Sequence, residues 1–166
     1  YVAFLDDDDE WWPEKLERQL ALMRSRDPQP GLVYGGFRKV VAATGLAADV
    51  RPTPGRHGLA QLLERNTIGT TSLVLCRREA LLEVGGFDES LPARQDIDLY
   101  VRLAQRHAID YVPEVLLTWY RHEGAAIGKD SRAAIRAHRL FLAKHEEDLL
   151  AHPEAHGVRL FELARL

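Results

Sequence analysis

Phe4-Leu5-Asp6-Asp7-Asp8-Asp9-Glu10-Trp11-Trp12-Pro13-Glu14-Lys15-Leu16 is the stretch on which the fold class turns. Four adjacent carboxylates repel one another and destabilise a folded chain unless something positive sits among them. Just before them, Val2–Leu5 is continuously apolar without alternation, the pattern of a strand buried on both faces of a sheet. Just after them, Pro13 stands where the first turn of a helix tolerates it. Leu16, Leu20 and Met23 then recur at helical spacing until Asp27-Pro28 and Pro30-Gly31 stop the run. The acids are therefore expected between a strand end and a helix start, the edge at which α/β sheets bind ligands.

On the residues alone, three readings of Asp6–Glu10 stay open. The first is a solvated acidic turn that favours the helix N-terminus through its dipole. The second is a calcium loop, since Asp6, Asp8, Glu10 and Glu17 have suitable spacing, but Trp11 replaces the glycine of its sharp turn and Pro13 begins a helix inside it. The third is a site for a hard divalent cation such as Mg2+ or Mn2+, held by one or two carboxylates and completed by substrate phosphates.

Further along, Leu32–Val41 and Leu46–Val50 flank Ala-Thr-Gly as a hairpin, and the Pro- and Gly-rich stretch 51–58 is a loop before a short helix at Leu59–Glu64. Ile68–Cys76 reads as a strand from its Thr, Val and Ile content. Arg77–Val84 reads as a helix closed by Gly85-Gly86. A helix over Ile97–Ala104 and strands at Ile109–Val112 and Val115–Tyr120 follow. In the tail, Ile135, Leu142 and Leu149 recur every seven residues through one helical run, which Pro153 interrupts before a last helix. The alternation implies an α/β fold with a mixed sheet flanked by helices.

A second constellation lies about ninety residues after the first: Val84-Gly-Gly-Phe-Asp-Glu-Ser-Leu, then Arg94-Gln-Asp-Ile-Asp-Leu-Tyr-Val-Arg-Leu. Asp96 and Asp98, two apart at a helix start, point to different sides of it, so one can face a cleft while the other caps. The plain alternative makes both of them N-terminal caps.

The first stretch resembles the strand, DXD element and following helix of family 2 glycosyltransferases, which have the Rossmann-like GT-A fold. The Asp cluster, Trp, Pro and Lys-Leu all occur in order. The resemblance implies that Asp6-Asp7-Asp8 is the DXD. Asp8 would directly ligate the Mn2+ or Mg2+ that bridges the nucleotide diphosphate, Asp6 would be a further ligand, Asp6 or Asp7 would lie near the ribose, and Asp9 would support them. The second constellation is similar to the family's acceptor-side signature, with Gln95-Asp96 where Glu-Asp is customary. It assigns the catalytic base to Asp96, with Asp98 the second candidate, and places Gly86, Phe87, Gln95 and Thr71 on the acceptor side.

Trp119-Tyr-Arg-His-Glu-Gly and Gly128-Lys-Asp-Ser-Arg look like the family's mobile segment. There His122 would contact metal or diphosphate, and Arg121 or Lys129 would neutralise phosphate. The plainer reading is a charged surface loop. Thr70 and Ser72 beside Thr71 are either pocket lining or ordinary hydrogen-bonded neighbours, and Trp11 and Trp12 either stack on a sugar or pack in the core.

The resemblance further implies inverting transfer of a sugar from a nucleotide-diphosphate sugar to a hydroxyl acceptor, in the cytoplasm or at the inner face of a membrane. It divides the chain into a partial GT-A domain over residues 1–130 and a helical tail over 131–166. Family members carry a nucleotide-binding half before the DXD strand. The chain begins after that half, so by itself it is expected to be weak or inactive. The competing expectation is a non-catalytic metal-binding remnant or interaction module.

Composition narrows the rest. With 46% hydrophobic and 28% charged residues, 166 residues make a globular domain with a real core. Asp6–Glu10 supplies five of the 25 acids; the other 20 face 22 basic residues, so the formal charge of -3 is concentrated in one place. No basic stripe with interleaved aromatics points to a nucleic-acid partner. No apolar run approaches the roughly 20 residues of a membrane-spanning helix. Cys76, the single cysteine, allows neither a disulfide nor a thiolate zinc site within the chain.

Overall fold

The computed structural model describes residues 1–121 and 131–166. A six-stranded mixed sheet carries β1 (Val2–Ala3), β2 (Asp9–Trp11), β3 (Leu32–Val41), β4 (Ala47–Val50), β5 (Leu75–Cys76) and β6 (Ile109–Arg121), in the spatial order β1-β5-β3-β6-β2 with β4 added to β3. β3 and β6 form the parallel centre; the other pairs are antiparallel. A parallel pair needs a crossover, and here it contains α2 (Leu59–Glu64), α3 (Arg78–Glu83) and α4 (Gln95–Ala104). α1 (Lys15–Ser25) follows β2, and the tail forms α5 (Ser131–Lys144), α6 (Glu146–Ala151) and α7 (Pro153–Ala164). This is a mixed α/β architecture compatible with a partial Rossmann-like GT-A fold.

Two apolar clusters hold the layers together. On the α1 side, Met23 packs with Val33, Val112 and Leu116. The larger cluster joins Leu32 and Tyr34 of β3 to Leu62 and Leu63 of α2, Leu99 and Leu103 of α4, and Phe141 and Leu149 of the tail. Burial of each such side chain contributes on the order of 1.5–3 kcal/mol.

Four expectations change. Val2–Leu5 is not a strand buried on both faces: only Val2–Ala3 pair, with β5 alone, both residues are half-buried, and Leu5 is 52% exposed. Residues 68–74 are not a strand. The Thr70 hydroxyl accepts from the Ser72 N–H and starts a 3-10 turn at Thr71–Leu73, leaving Leu75–Cys76 as the paired part. The two strands expected between 109 and 120 are one, bulged around Pro113, where the register against β3 slips between Tyr34 and Phe37. Pro113 has no N–H for the ladder, and a bulge is where a strand accommodates it. The tail run breaks at His145, and Ala137, His138, Phe141 and His145 take its inner face where Ile135 and Leu142 are only half-buried.

Candidate active site

Asp6, Asp7, Asp8 and Asp9 make a tight turn, closed by the Asp9 N–H donating to the Asp6 carbonyl at 3.2 Å. Asp7 and Asp8 stand exposed at its tip, and the chain continues straight into β2, a strand the sequence did not signal. Asp6 is tied down from both ends. Its N–H donates to Ser72 Oγ at 3.0 Å, and its carboxylate accepts from Thr70 Oγ1 at 3.0 Å and Thr71 Oγ1 at 3.5 Å.

Asp9, paired with Trp119 across β2 and β6, differs from its neighbours. Both of its carboxylate oxygens are buried without a hydrogen-bond partner. Burial is the main cause that lifts this carboxyl above its usual range. The nearby Ser72 hydroxyl opposes the rise, and the charges of Asp6 and Asp8 add to it. Thr70 donates its hydroxyl proton to Asp6, whereas Ser72 Oγ accepts from the Asp6 N–H and keeps its own proton free to moderate the Asp9 charge.

The second constellation is built at the start of α4. Gly85 and Gly86 adopt φ of 80° and 67°, and a Cβ on either would meet open space, so the left-handed backbone is what calls for glycine. Arg94, at φ 66°, precedes the helix and makes no side-chain cap. Gln95 donates to the Leu91 carbonyl at 2.8 Å, and Phe87 packs edge-on against Phe4 with centroids 5.2 Å apart.

Asp96 and Asp98 part company here. Asp96 is half-buried and accepts from Asn66 Nδ2 at 2.8 Å. Desolvation is the largest influence on its carboxyl and lifts it above the usual range, while the N–H groups of the helix's first turn, Arg94 and Asn66 work in the opposite direction. Asp98 has no exposed surface. It accepts from Arg102 Nε at 2.8 Å, His145 Nε2 at 2.9 Å and Lys144 Nζ at 3.0 Å. Burial alone would lift the Asp98 carboxyl, but these three donors together hold it below the usual range.

A cavity of about 350 Å³ is lined by Asp6, Thr70, Thr71, Phe87, Gln95 and Asp96. The fold thus brings Asp6 of the first constellation and Phe87, Gln95 and Asp96 of the second, more than eighty positions apart in sequence, to one opening. Cavities of similar volume lie between α2 and α7, with Glu64, His152 and Glu154 in the lining, and beside Asp27 and Asp110, so neither volume nor acidity singles out a site; the meeting of the two sequence constellations does. Gly86 shapes the turn beside Phe87. Asp7 and Asp8 remain at the solvent-facing tip, and Asp98 points away from the cavity into the tail. Arg121 is exposed at the end of β6, two residues past the partner of Asp9. His122 and Lys129 lie outside the described residues. Both tryptophans are committed to the protein: Trp11 Nε1 donates to the Ser72 carbonyl at 2.8 Å and Trp12 Nε1 to Thr118 Oγ1 at 3.1 Å.

Asn66 was not anticipated from sequence, nor was the isolation of Asp9. The Asn66…Gly69 spacing carries an Asx-turn signal that points to a turn before Thr70, but nothing local announces a partner on α4. Among the described residues, no three His, Cys, Asp or Glu side chains converge as a ready-made cation cage.

Fold and site together define an α/β protein with an acidic turn at a sheet edge facing a second carboxylate. The chain belongs to a known family: the model of glycosyltransferase-like family 2 matches residues 1–161. It is 27% identical over 106 residues to an uncharacterized glycosyltransferase of Haemophilus influenzae, covering 63% of this chain and 36% of that protein. It is 32% identical over 115 residues to the amylovoran biosynthesis glycosyltransferase AmsB of Erwinia amylovora, covering 61% and 35%. An uncharacterized glycosyltransferase of Rickettsia felis is 25% identical over 122 residues, 70% of this chain and 20% of its own. The chain thus spans well under half the length of these curated relatives. No helix among the described residues is long and apolar enough to cross a membrane.

Proposed function

We propose that the protein bearing this chain transfers a sugar from a nucleotide-diphosphate sugar to a hydroxyl acceptor with inversion, using Asp96 as the base and Asp8 and Asp6 as ligands of Mg2+ or Mn2+. The observation that carries this reading is the single cavity into which Asp6 and Asp96 both face. Direct displacement needs a base near the acceptor hydroxyl and charge compensation near the departing diphosphate, and each constellation contributes a carboxylate to the lining of that space.

The donor set fits a hard divalent cation: Asp6 and Asp8 offer carboxylate oxygens, and the buried Asp9 carboxyl adds a third acidic group electrostatically coupled to both. When bound, such an ion supplies Lewis-acid stabilisation of the leaving diphosphate. The chain's own residues do the remaining work. Thr70 and Thr71 orient Asp6, Ser72 fixes the turn through the Asp6 N–H, and Phe87 and Gln95 form the acceptor wall. Asp96 takes the proton of the attacking hydroxyl. Asp98, saturated by three donors, holds α4 to the tail. Arg121 and His122 are assigned to the diphosphate, with His122 a further candidate for the metal. The name of the Erwinia relative points to polysaccharide synthesis as the setting of the transfer.

The test is a screen of nucleoside-diphosphate sugars with Mn2+ on the complete natural protein, with polysaccharide acceptors and release of nucleoside diphosphate as the readout. Asp96→Asn should abolish transfer while leaving donor binding by calorimetry intact. Wild-type turnover in that variant moves the base elsewhere. Absence of donor binding and turnover across the panel would favour a non-catalytic module of the same fold.

A further inference from the structure

Asn66 sits two residues beyond α2 with every hydrogen-bonding position of its amide in use. Its Oδ1 accepts from the N–H groups of Ile68 at 3.1 Å and Gly69 at 2.8 Å. Its Nδ2 donates to the Gly69 carbonyl at 3.0 Å and to Asp96 Oδ2 at 2.8 Å. An amide has two lone pairs and two N–H bonds to offer, and here all four have partners. That census also fixes its orientation, because a flipped amide would set its oxygen against a carboxylate and its NH2 against two backbone donors.

We propose that Asn66 is the positioning residue for Asp96: an Asx-turn side chain, locked by its own loop, that clamps one oxygen of the base and so fixes the carboxylate towards the cavity. This rests on the assignment of Asp96 as the base. A surface loop needs only the two bonds to Oδ1 to hold its turn. The bond to Asp96 spans 30 residues, joins a different element, and ends on a carboxylate that lines the cavity. Gly69 makes the clamp compact: it stands at φ 108°, and a Cβ there would come within 3.1 Å of the Leu73 side chain. The charged and titratable groups around Asp96 are Arg94 at the start of its helix, Tyr100 one turn on, and Asp6 in the lining of the same cavity. Asn66 is the neutral donor among them, and it can hold the carboxylate without titrating itself.

The decisive variants are Asn66→Asp and Asn66→Ala in the complete natural protein, assayed as above beside Asp96→Asn. Asn66→Asp keeps an oxygen for Ile68 and Gly69 but loses the donor to Asp96 and adds a like charge. If Asn66 positions the base, both variants lower kcat by roughly 10- to 100-fold, the loss of one hydrogen bond to a charged group, with donor KM little changed. The acidic limb of the kcat/KM profile moves to higher pH, furthest in Asn66→Asp. Near-wild-type rate and profile in Asn66→Asp, with Asn66→Ala impaired, would reduce Asn66 to a loop anchor and overturn the inference while leaving the base in place. Wild-type turnover in Asp96→Asn would remove the base reading itself, and the inference with it. A substrate-free check is the carboxyl 13C titration of Asp96: an upward midpoint in Asn66→Asp supports the clamp, and an unmoved one overturns it.

Discussion

Asp96 and Asp98 share a helix, a residue type and almost a position, yet the two faces of α4 treat them in opposite ways. On the cavity face, Asp96 has one side-chain donor and a carboxyl pushed up by desolvation. On the tail face, Asp98 has three cationic or imidazole donors and a carboxyl held down despite deeper burial. Environments that push like groups apart are how one fold separates chemistry from support. Here the difference comes from the partners: a neutral amide on one face and a cluster from α4 and the tail on the other.

The largest test of that contrast is exchange of the two roles. Asp96→Asn should reduce transfer by about 10²- to 10⁴-fold, the usual contribution of a positioned base, with a thermal midpoint near wild type. Asp98→Ala should do the reverse. Stranding Arg102, Lys144 and His145 in a buried site costs about 3–5 kcal/mol, visible as a lower urea midpoint, while the molecules that remain folded bind donor normally. A dead but fully stable Asp98→Ala would break the comparison.

Acid sharpens it further. The folded pKa of Asp98 is depressed, so its stabilisation is complete above the unfolded carboxylate value of about 3.9 and is lost as pH falls through the folded value. The folded pKa of Asp96 is raised, so its ionisation opposes folding at neutral pH and that opposition is relieved on acidification. Denaturant titrations between pH 7 and 3 should therefore show a shallower acid loss in Asp98→Asn than in wild type, and a steeper one in Asp96→Asn.

Thr70→Val, which removes the 3.0 Å bond to Asp6 at an exposed site, should lower kcat/KM only several-fold, about 1 kcal/mol, and raise the Mn2+ concentration needed for half-activity. Smallest is Lys144→Met. Lys144 is 31% exposed and shares Asp98 with two other donors, so its loss should cost roughly 1 kcal/mol or less in denaturant unfolding.

Much of the fold was legible because its signals are local. The helical spacing after Pro13, the hairpin around Gly45 and the glycine pair closing α3 each depend on a few consecutive residues. What failed needed information from elsewhere. β2 is three residues whose only argument for being a strand is the edge of β6. Residues 70–73 have strand-like composition, but the Thr70 hydroxyl offers the backbone a competing bond and the chain turns. In the site, Asp6 and Asp96 could be named from their motifs. The donors that set Asp98 apart lie four residues along α4 and 46 and 47 residues away in the tail, and the Asn66 contact spans 30. No spacing rule reaches that far.

The ribbon from Asn66 to Ser72 touches Asp96 at one end and Asp6 and Trp11 at the other. For anyone redesigning specificity, this makes the two halves of the site inseparable variables. Widening the cavity at Thr71 also loosens Asp6, and strengthening the turn at Gly69 also shifts the partner of Asp96. If the proposed function holds, libraries confined to Phe87 and Gln95, outside the ribbon, should alter acceptor use without changing the response to Mn2+. Those built within it should demand compensating changes on the opposite wall, so the easier evolutionary path runs around the ribbon.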